Sequence, residues 1–279
     1  MDYVKPADMA RAMADSGAQR ARLSIPDMLI RGMMAGALLG IATSLAITGA
    51  VQTGVPFAGA IVFPVGFVMI VALGLELCTG NFAILGVSAL SGGCSWAEAG
   101  RNWTWGFIGN LIGSVLYAFL LVIALTNAWN VPPAGVAQKI IDIATLKTVG
   151  YEPFGAAGLL SSFVKGMLCN WMVCLGVTMS MMSTSTAGKL FGAWLPIFIF
   201  FGQGFEHAVV NMFVIPAGMM LGAKVSFSDW WLWNQIPVTL GNLAGGLLFI
   251  ALPWYLTFRP GGASVRALGK DAPLSAPAE

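Results

Sequence analysis

Six long apolar segments restrict the fold of this 279-residue chain more than any other feature. They cover residues 28–50, 57–90, 103–126, 158–182, 191–221 and 235–258. Each exceeds the roughly 20 residues that an α-helix needs to cross a bilayer, whereas the strands of a β-barrel would be shorter and alternate in polarity. Apolar residues make up 57% of the chain and charged residues 9%, which no soluble domain of this length tolerates on its surface. The sequence therefore predicts an all-α, multi-pass membrane protein with six transmembrane helices in the domain 28–258.

The two ends of the chain are more polar than the segments between them. Residues 1–27 lack the short apolar core and cleavage site of a signal peptide, so we expect a retained, partly helical N-terminal arm. Residues 259–279 are rich in Ala, Pro and Gly, and we expect a disordered tail. If both termini are cytoplasmic, ten of the 14 Lys and Arg residues lie on the inner side, which predicts this orientation in the cytoplasmic (inner) membrane.

The composition also excludes several classes of function. The basic residues flank apolar segments and form no single patch, so we predict no nucleic-acid partner. The four cysteines fall in or beside apolar segments, where they serve mostly as small packing residues. With no CxxC pair and one histidine, the sequence predicts no metal and no cofactor.

The chain repeats itself in two halves. RGM at 31–33 returns as KGM at 165–167, GLEL at 74–77 as GFEH at 204–207, and GNL at 109–111 as GNL at 241–243. Three echoes in the same order predict two repeats of three helices each. Because three is odd, the second repeat is inverted relative to the first, as in many transporters and channels.

Segments two and five correspond to each other and are both too long for one crossing. At about 1.5 Å per residue, a helix of thirty residues overshoots a hydrocarbon core of about 30 Å. We therefore expect both helices to be broken, and residues tolerant of an interrupted backbone are present in each: Gly74, Gly80 and Pro64 in one, Gly202, Gly204 and Pro216 in the other. Such a break must line a cavity or be covered by protein, and the restarting half-helices favour an anion.

His207, the only histidine, follows Glu206 within an otherwise uncharged apolar segment. Ionisable groups at this depth usually mark a substrate or proton path, and imidazole titrates near neutral pH. We expect His207 to take part in proton-linked handling of something small, although a lone histidine on an apolar helix is often structural. Glu76 and Glu206 occupy corresponding positions at the breaks, which favours a structural role for them in accepting backbone N–H bonds and bracing the loops. We expect Asn211 to support the helix break as well.

Four motifs resemble the signatures of the formate/nitrite transporter family. They are ELCTGN at 76–81, KGMLCNWMVCL at 165–175, GFEHAVVNMF at 204–213 and IPVTLGN at 236–242. The resemblance runs from about residue 28 to residue 255. It implies an aquaporin-like fold in a homopentamer, with one pore per subunit and a central hole plugged by membrane lipid. It also implies substrates that are small monovalent anions of weak acids: formate, nitrite and, in some members, hydrosulphide, lactate or acetate.

The resemblance also implies roles for individual residues. His207 matches the central histidine of the family, Thr79 the threonine that hydrogen-bonds to the anion, and Asn170 the asparagine that supports this pair. Lys147 matches the vestibule lysine, with Lys165 as the alternative. The hydrophobic constrictions on either side of the histidine correspond to Phe63, Phe67, Phe200 and Val173.

These residues suggest a mechanism based on the cost of desolvation. A bare anion loses its hydration in an apolar constriction at far greater cost than the neutral acid, so protonation at the centre lowers the barrier. We expect transport of formate that is either passive or coupled to protons, with nitrite as the alternative.

Two other classes of protein fit the sequence less well. An aquaporin-like neutral-solute channel would share broken helices and inverted repeats, but its paired Asn-Pro-Ala turns are absent. A membrane-embedded enzyme lacks a catalytic constellation here, so we predict no enzymatic activity.

Overall fold

The computed structural model describes residues 2–258, and helices dominate this range. The α-helices are α1 (Pro6–Ala21), α2 (Ile25–Thr53), α3 (Pro56–Val62), α4 (Pro64–Ala72), α5 (Cys78–Leu90), α6 (Trp96–Thr126), α7 (Val136–Leu146), α8 (Gly155–Ser180), α9 (Thr186–Gly202), α10 (Ala208–Met220), α11 (Phe227–Asp229), α12 (Ile236–Gly246) and α13 (Leu252–Phe258). A 3-10 turn, Glu152–Phe154, precedes α8. The π-helical turns Trp230–Gln235 and Leu247–Ala251 join α11, α12 and α13 into one rod.

Four helical stretches are long and apolar enough to cross a membrane: Ile25–Thr53, Trp96–Thr126, Glu152–Ser180 and Phe227–Phe258. Their ends follow local chemistry. The Ser24 hydroxyl accepts the N–H of Asp27 at the start of α2, and Ser95 and Glu98 form a capping box at the start of α6. The two other apolar segments consist of shorter helices, α3 to α5 and α9 to α10.

The predicted breaks in segments two and five are present. Residues 73–77 separate α4 from α5, and residues 203–207 separate α9 from α10. Gly74 (φ +62°) and Gly204 (φ +68°) adopt the left-handed conformation that glycine tolerates best, so these two glycines end the incoming half-helices.

The other residues that we expected at the breaks lie inside or at the ends of helices. Gly80 is within α5, Pro216 is within α10, and Gly202 is the last residue of α9. Pro64 starts α4 and marks a minor discontinuity after α3, because proline has no N–H to continue the helical ladder. The expectation was therefore wrong for Gly80 and Pro216, which keep a helical backbone, whereas Gly202 and Pro64 stand at helix ends.

The two halves of the chain use the same packing plan. Helix α2 packs against α6 as α8 packs against α12, and α1 packs against α5 as α7 packs against α10. The paired long helices approach closely: a Cβ added at Gly113 would lie 1.9 Å from the Met33 carbonyl oxygen, and one at Gly245 would lie 2.3 Å from the Met167 carbonyl oxygen. The main core lies between the halves, where α4 contacts α9 and α5 contacts α8.

The N-terminal arm is helical and packed. Met9 and Met13 of α1 are fully buried, and the helix lies against α5. Ahead of it, the Val4 N–H donates to the Met182 carbonyl oxygen at 2.9 Å, which attaches the arm to the loop between α8 and α9. The arm is thus part of the helical bundle, whereas the expected disordered tail, 259–279, lies outside the described residues.

Candidate functional site

The starts of the two returning half-helices meet at the centre of the bundle. Thr79 lies in the first turn of α5, and His207 is the residue before α10. The Thr79 Oγ1 and His207 Nε2 atoms are 3.0 Å apart, and both side chains are almost completely buried. The structure thus places in hydrogen-bond contact two residues that are 128 positions apart in the sequence.

The other ring nitrogen of His207 caps helix α10. The N–H of Val210 donates to His207 Nδ1 at 3.2 Å. A nitrogen that accepts a hydrogen bond carries no proton, so we assign the neutral ring with its proton on Nε2. Nε2–H then donates to Thr79 Oγ1, which leaves the hydroxyl hydrogen of Thr79 available for a further acceptor. Leu77 holds the corresponding position before α5 and provides no side-chain cap.

Two asparagines hold the breaks in shape, one in each half. Asn110 accepts the Cys78 N–H at 2.9 Å and donates to the carbonyl oxygens of Glu76 and Gly32. Asn242 accepts the Ala208 N–H at 2.8 Å and donates to the carbonyl oxygens of Glu206 and Gly166. Each side-chain amide therefore provides hydrogen-bond partners for a backbone N–H and a backbone carbonyl at its break, which lipid could not provide.

Asn170 connects the two halves near the centre. Its Nδ2 donates to the carbonyl oxygen of Thr79 at 3.0 Å and to that of Asn242 at 2.6 Å. Asn170 thus contacts Thr79 through the backbone and, among the described residues, makes no hydrogen bond with His207. Cys174 also directs its Sγ toward the Thr79 carbonyl oxygen, at 3.4 Å.

The Glu206 carboxylate is buried among side-chain donors. It accepts from Lys147 Nζ at 2.7 Å, from the Tyr151 hydroxyl at 2.8 Å and from Asn211 Nδ2 at 2.8 Å. Asn234 adds a longer contact of 3.4 Å. Burial, with the neighbouring charge of Glu206, raises the pKa of Tyr151 above its usual value, so this phenol remains a donor.

The Glu76 carboxylate has an equivalent set of partners. It accepts from Arg20 Nη1, from Asn81 Nδ2 at 2.7 Å and from Asn102 Nδ2 at 3.1 Å. Both carboxylates are thus held by one cation and two amides. We expected backbone N–H donors for Glu76 and Glu206, and this was wrong: Asn110 and Asn242 take the backbone N–H groups, so the carboxylates accept side chains instead.

Two cavities approach the centre. The larger has a volume of about 600 Å³ and is lined by His207, Phe200, Lys147, Lys165 and Tyr151, among other residues. The smaller has a volume of about 390 Å³ and is lined by residues that include Phe67, Arg20, Gly80, Val177 and Lys189. Thr79 lines neither cavity, so the Thr79–His207 contact lies at the closed end between them.

The four apolar side chains expected at the constrictions occupy different places. The Phe200 ring stacks on the His207 imidazole with centroids 5.7 Å apart, at the end of the larger cavity. Phe67 lines the smaller cavity. Phe63 stacks on Phe201 at 3.9 Å and packs edge-on against Phe200, behind the cavity wall. Val173 is buried in the main core and lines neither cavity.

Sequence reasoning missed several members of this site. Asn110 and Asn242 lie in the repeated GNL triplet, which indicated a repeat but not that these side chains hydrogen-bond to the backbone at the breaks. Arg20 and Tyr151 lie in segments of weak pattern, the N-terminal arm and the loop before α8. A buried acid requires a partner, so the two isolated glutamates were the available signal that a cation would be found near each.

Comparison with known proteins identifies the family to which this architecture belongs. The sequence profile of the family described as "Formate/nitrite transporter" matches residues 7–256. A "Probable formate transporter" of Methanothermobacter thermautotrophicus is 35% identical over 270 residues, covering 91% of this chain and 97% of that protein. Among solved structures, an "FNT family ion channel" aligns with a TM-score of 0.76 at 26% identity, covering 90% of this chain and 99% of its own.

A second solved structure, described as "Pentameric formate channel with formate bound", aligns with a TM-score of 0.67 at 28% identity. The alignment covers 84% of this chain and 98% of that one. With the profile match extending over nearly the whole described range, this chain belongs to the formate/nitrite transporter family.

Proposed function

We propose that this protein carries formate across the cytoplasmic membrane, and that the anion is protonated at His207 on its way through. The observation that carries the proposal is the 3.0 Å contact between Thr79 and His207, buried between two cavities that are each lined by residues of both halves of the chain. The similarity to a solved formate channel with formate bound supports the choice of substrate.

The energetic reason for protonation lies in the apolar closure around the site. Phe200 stacks on His207, and Phe67 lines the wall of the other cavity. An anion in such surroundings loses hydration that no charged partner replaces, at a cost of many kcal/mol, whereas neutral formic acid loses much less. A path that converts the anion into its acid at this point avoids most of that barrier.

The hydrogen bonds at the centre suit this conversion. Formate that displaces the Thr79–His207 contact receives the Thr79 hydroxyl hydrogen and the Nε2–H of His207. Uptake of a proton at Nδ1 breaks its bond with the Val210 N–H. The resulting imidazolium then gives its Nε2 proton to formate, which continues as formic acid and releases the proton beyond the second constriction.

The proposal also assigns each cavity to one side of the membrane. We assign the larger cavity to the extracytoplasmic side and the smaller cavity, beside α1, to the cytoplasmic side, in accord with the excess of basic residues there. Nitrite is the second candidate substrate, because the family is described by both anions and nitrite is also a small monovalent anion of a weak acid.

The test is uptake of labelled formate into proteoliposomes with and without an inward proton gradient. We expect His207→Asn to assemble but to lose the acceleration by the gradient, because an amide does not titrate. The matched control is Leu77→Asn, the same residue placed before α5, which should keep the wild-type pH dependence. Competition by nitrite ranks the two substrates.

Three results would count against the proposal. Passage of glycerol without formate would indicate a neutral-solute channel. Wild-type pH dependence in His207→Asn would remove the imidazole from the mechanism. Preference for nitrite over formate at equal concentration would move the assignment to the second substrate.

A further inference from the structure

The wall of the larger cavity is more apolar than a single-carbon anion requires. Its charged lining residues are Lys147, Lys165 and Glu206, which carry a net charge of +1 when all three are ionised. Aliphatic and aromatic side chains form most of the remaining wall, among them Ile47, Ile143, Leu146, Phe154, Phe205 and Val214. The positive charge suits formate, but formate has no hydrocarbon group to place against this wall.

The volume of the cavity also exceeds what formate needs. It is about 600 Å³, within the range of about 300–1,000 Å³ that is typical of binding sites for organic molecules. Such sites are lined mainly by hydrophobic and aromatic side chains, with a few polar groups that fix the orientation of the ligand. The larger cavity has this composition, and formate would occupy only a small part of it.

Two large apolar side chains lie exposed at the mouth of the cavity. Leu146, at the end of α7, is 70% exposed, and Phe154, in the 3-10 turn before α8, is 67% exposed. They do not face lipid, because both line a cavity that also contains charged side chains. Helix α7 is too short to cross a membrane and exposes Lys139 and Asp142. Exposed apolar surface beside polar groups typically marks a place where a ligand or a partner binds.

The inner end of the cavity restricts what can move on toward the centre. Phe200 lines this end together with His207. The Phe200 ring is held by Phe63, which packs edge-on against it with centroids 5.7 Å apart and stacks on Phe201 at 3.9 Å. An anion that carries a hydrocarbon group can therefore enter the cavity but is too bulky to pass Phe200.

We propose that the larger cavity binds amphipathic monoanions, which are carboxylates or sulfonates that carry a short alkyl chain or an aromatic ring, and that such a ligand blocks the entry of formate. Its charged head lies toward the lysines, and its hydrocarbon group covers Leu146 and Phe154. The lining argues for this occupant, because its net positive charge attracts a monoanion and its apolar rim favours one with a hydrocarbon group. The blocking role rests on the proposed function, whereas binding itself does not.

The test is inhibition of labelled-formate uptake into proteoliposomes by the series of alkanesulfonates from methanesulfonate to hexanesulfonate. Sulfonates remain anionic near neutral pH, so they cannot be protonated at His207 and cross lipid poorly. The inhibitor is present on both sides of the membrane, because reconstituted protein inserts in both orientations. We expect competitive inhibition whose Ki falls about two- to fourfold with each added methylene, the factor expected when one CH₂ group is buried against protein.

Variants at the mouth of the cavity identify the surface that binds the hydrocarbon group. Leu146→Ala and Phe154→Ala should each raise the Ki of hexanesulfonate about fivefold and leave the KM of formate within about twofold of the wild-type value. Matched controls are Leu160→Ala and Phe191→Ala, whose side chains are 62% and 66% exposed and line neither cavity. Both controls should keep the wild-type Ki.

Binding measured without transport separates this inference from the proposed function. Calorimetry of hexanesulfonate with the protein in lipid nanodiscs should show binding that weakens in Leu146→Ala and Phe154→Ala. This result with a wild type that does not carry formate would support the site and refute the proposed function.

Three results would overturn the inference. The first is a wild type that carries formate and is not inhibited by hexanesulfonate. The second is the same Ki in the two mouth variants, the two controls and the wild type, because the effect of chain length would then reflect partition into lipid. The third is an unchanged Ki with a less stable oligomer in the mouth variants, which would assign Leu146 and Phe154 to a contact between subunits. If one mouth variant did not assemble, the other would decide.

Discussion

Asn242→Leu tests how the break before α10 is held. The leucine has the same branching and the same number of side-chain heavy atoms, although its methyl groups are bulkier, and it removes the acceptor of the Ala208 N–H and the donor to the Glu206 carbonyl oxygen. The third partner, the Gly166 carbonyl, lies within helix α8 and keeps its helical bond. Two buried backbone groups therefore lose their partners, in a place where lipid offers no replacement.

The expected loss follows from these two groups. Each buried backbone group without a partner costs about 1–3 kcal/mol, so the variant should lose about 2–6 kcal/mol of stability. At about 2 °C per kcal/mol for a chain of this size, the apparent Tm should fall by about 4–12 °C. The assay is thermal unfolding of the purified oligomer in mild detergent, followed by tryptophan fluorescence at a fixed scan rate.

Two comparison variants make the result interpretable. Asn110→Leu removes the equivalent bonds in the first half and should cause a loss of similar size. Thr239→Val, on the same helix as Asn242, removes a hydroxyl bond to the Gln235 carbonyl that supplements the helical ladder and a long bond of 3.3 Å from Gln235 Nε2, so its Tm should fall by less than about 2 °C. An Asn242→Leu oligomer as stable as Thr239→Val would refute the proposal that the hydrogen bonds of Asn242 hold the break before α10.

The remaining predictions concern the centre, the constriction and the assembly. Thr79→Val should weaken formate binding or passage by about 1–3 kcal/mol through loss of one donor, whereas Thr79→Ser should keep most uptake; equal rates in both would assign Thr79 to helix packing. Phe200→Ala should increase chloride leak more than formate flux, and unchanged selectivity in a folded oligomer would place the barrier elsewhere. Native mass measurement in mild detergent should give five copies of the chain, as in the similar pentameric channel, and a stable monomer or trimer would contradict this.

The helical architecture was predictable because it depends on patterns local to the sequence. The length of the apolar segments was enough to predict the broken helices, and the order of the repeated motifs was enough to predict the two halves. Gly74 and Gly204 were among the six residues named for the breaks, and the structure singles them out because they lie between half-helices and adopt positive φ. Pro216 misled the same reasoning, since a proline within an α-helix is tolerated when surrounding helices pack around it.

The side-chain networks were less predictable because they join distant parts of the chain. Lys147 and Glu206 are 59 residues apart, and Arg20 and Glu76 are 56 residues apart. No local pattern specifies that α1 and α7 end beside the two breaks. The resemblance predicted that both lysines lie near the substrate path, but only the structure shows that Lys147 forms an ion pair with Glu206, whereas Lys165 donates to Tyr151 and forms no ion pair within residues 2–258.

The two halves differ at the residue before each returning half-helix, Leu77 in one and His207 in the other. His207 lines the larger cavity and not the smaller one, so in the proposed mechanism its imidazole exchanges protons through the larger cavity. Microscopic reversibility still requires zero net flux when the gradients of anion and proton balance. In the proposed mechanism, the difference between the halves therefore alters how each direction saturates and responds to pH, while the end point of transport remains fixed by the gradients. One residue would thus give a scaffold of two similar halves different transport kinetics in its two directions.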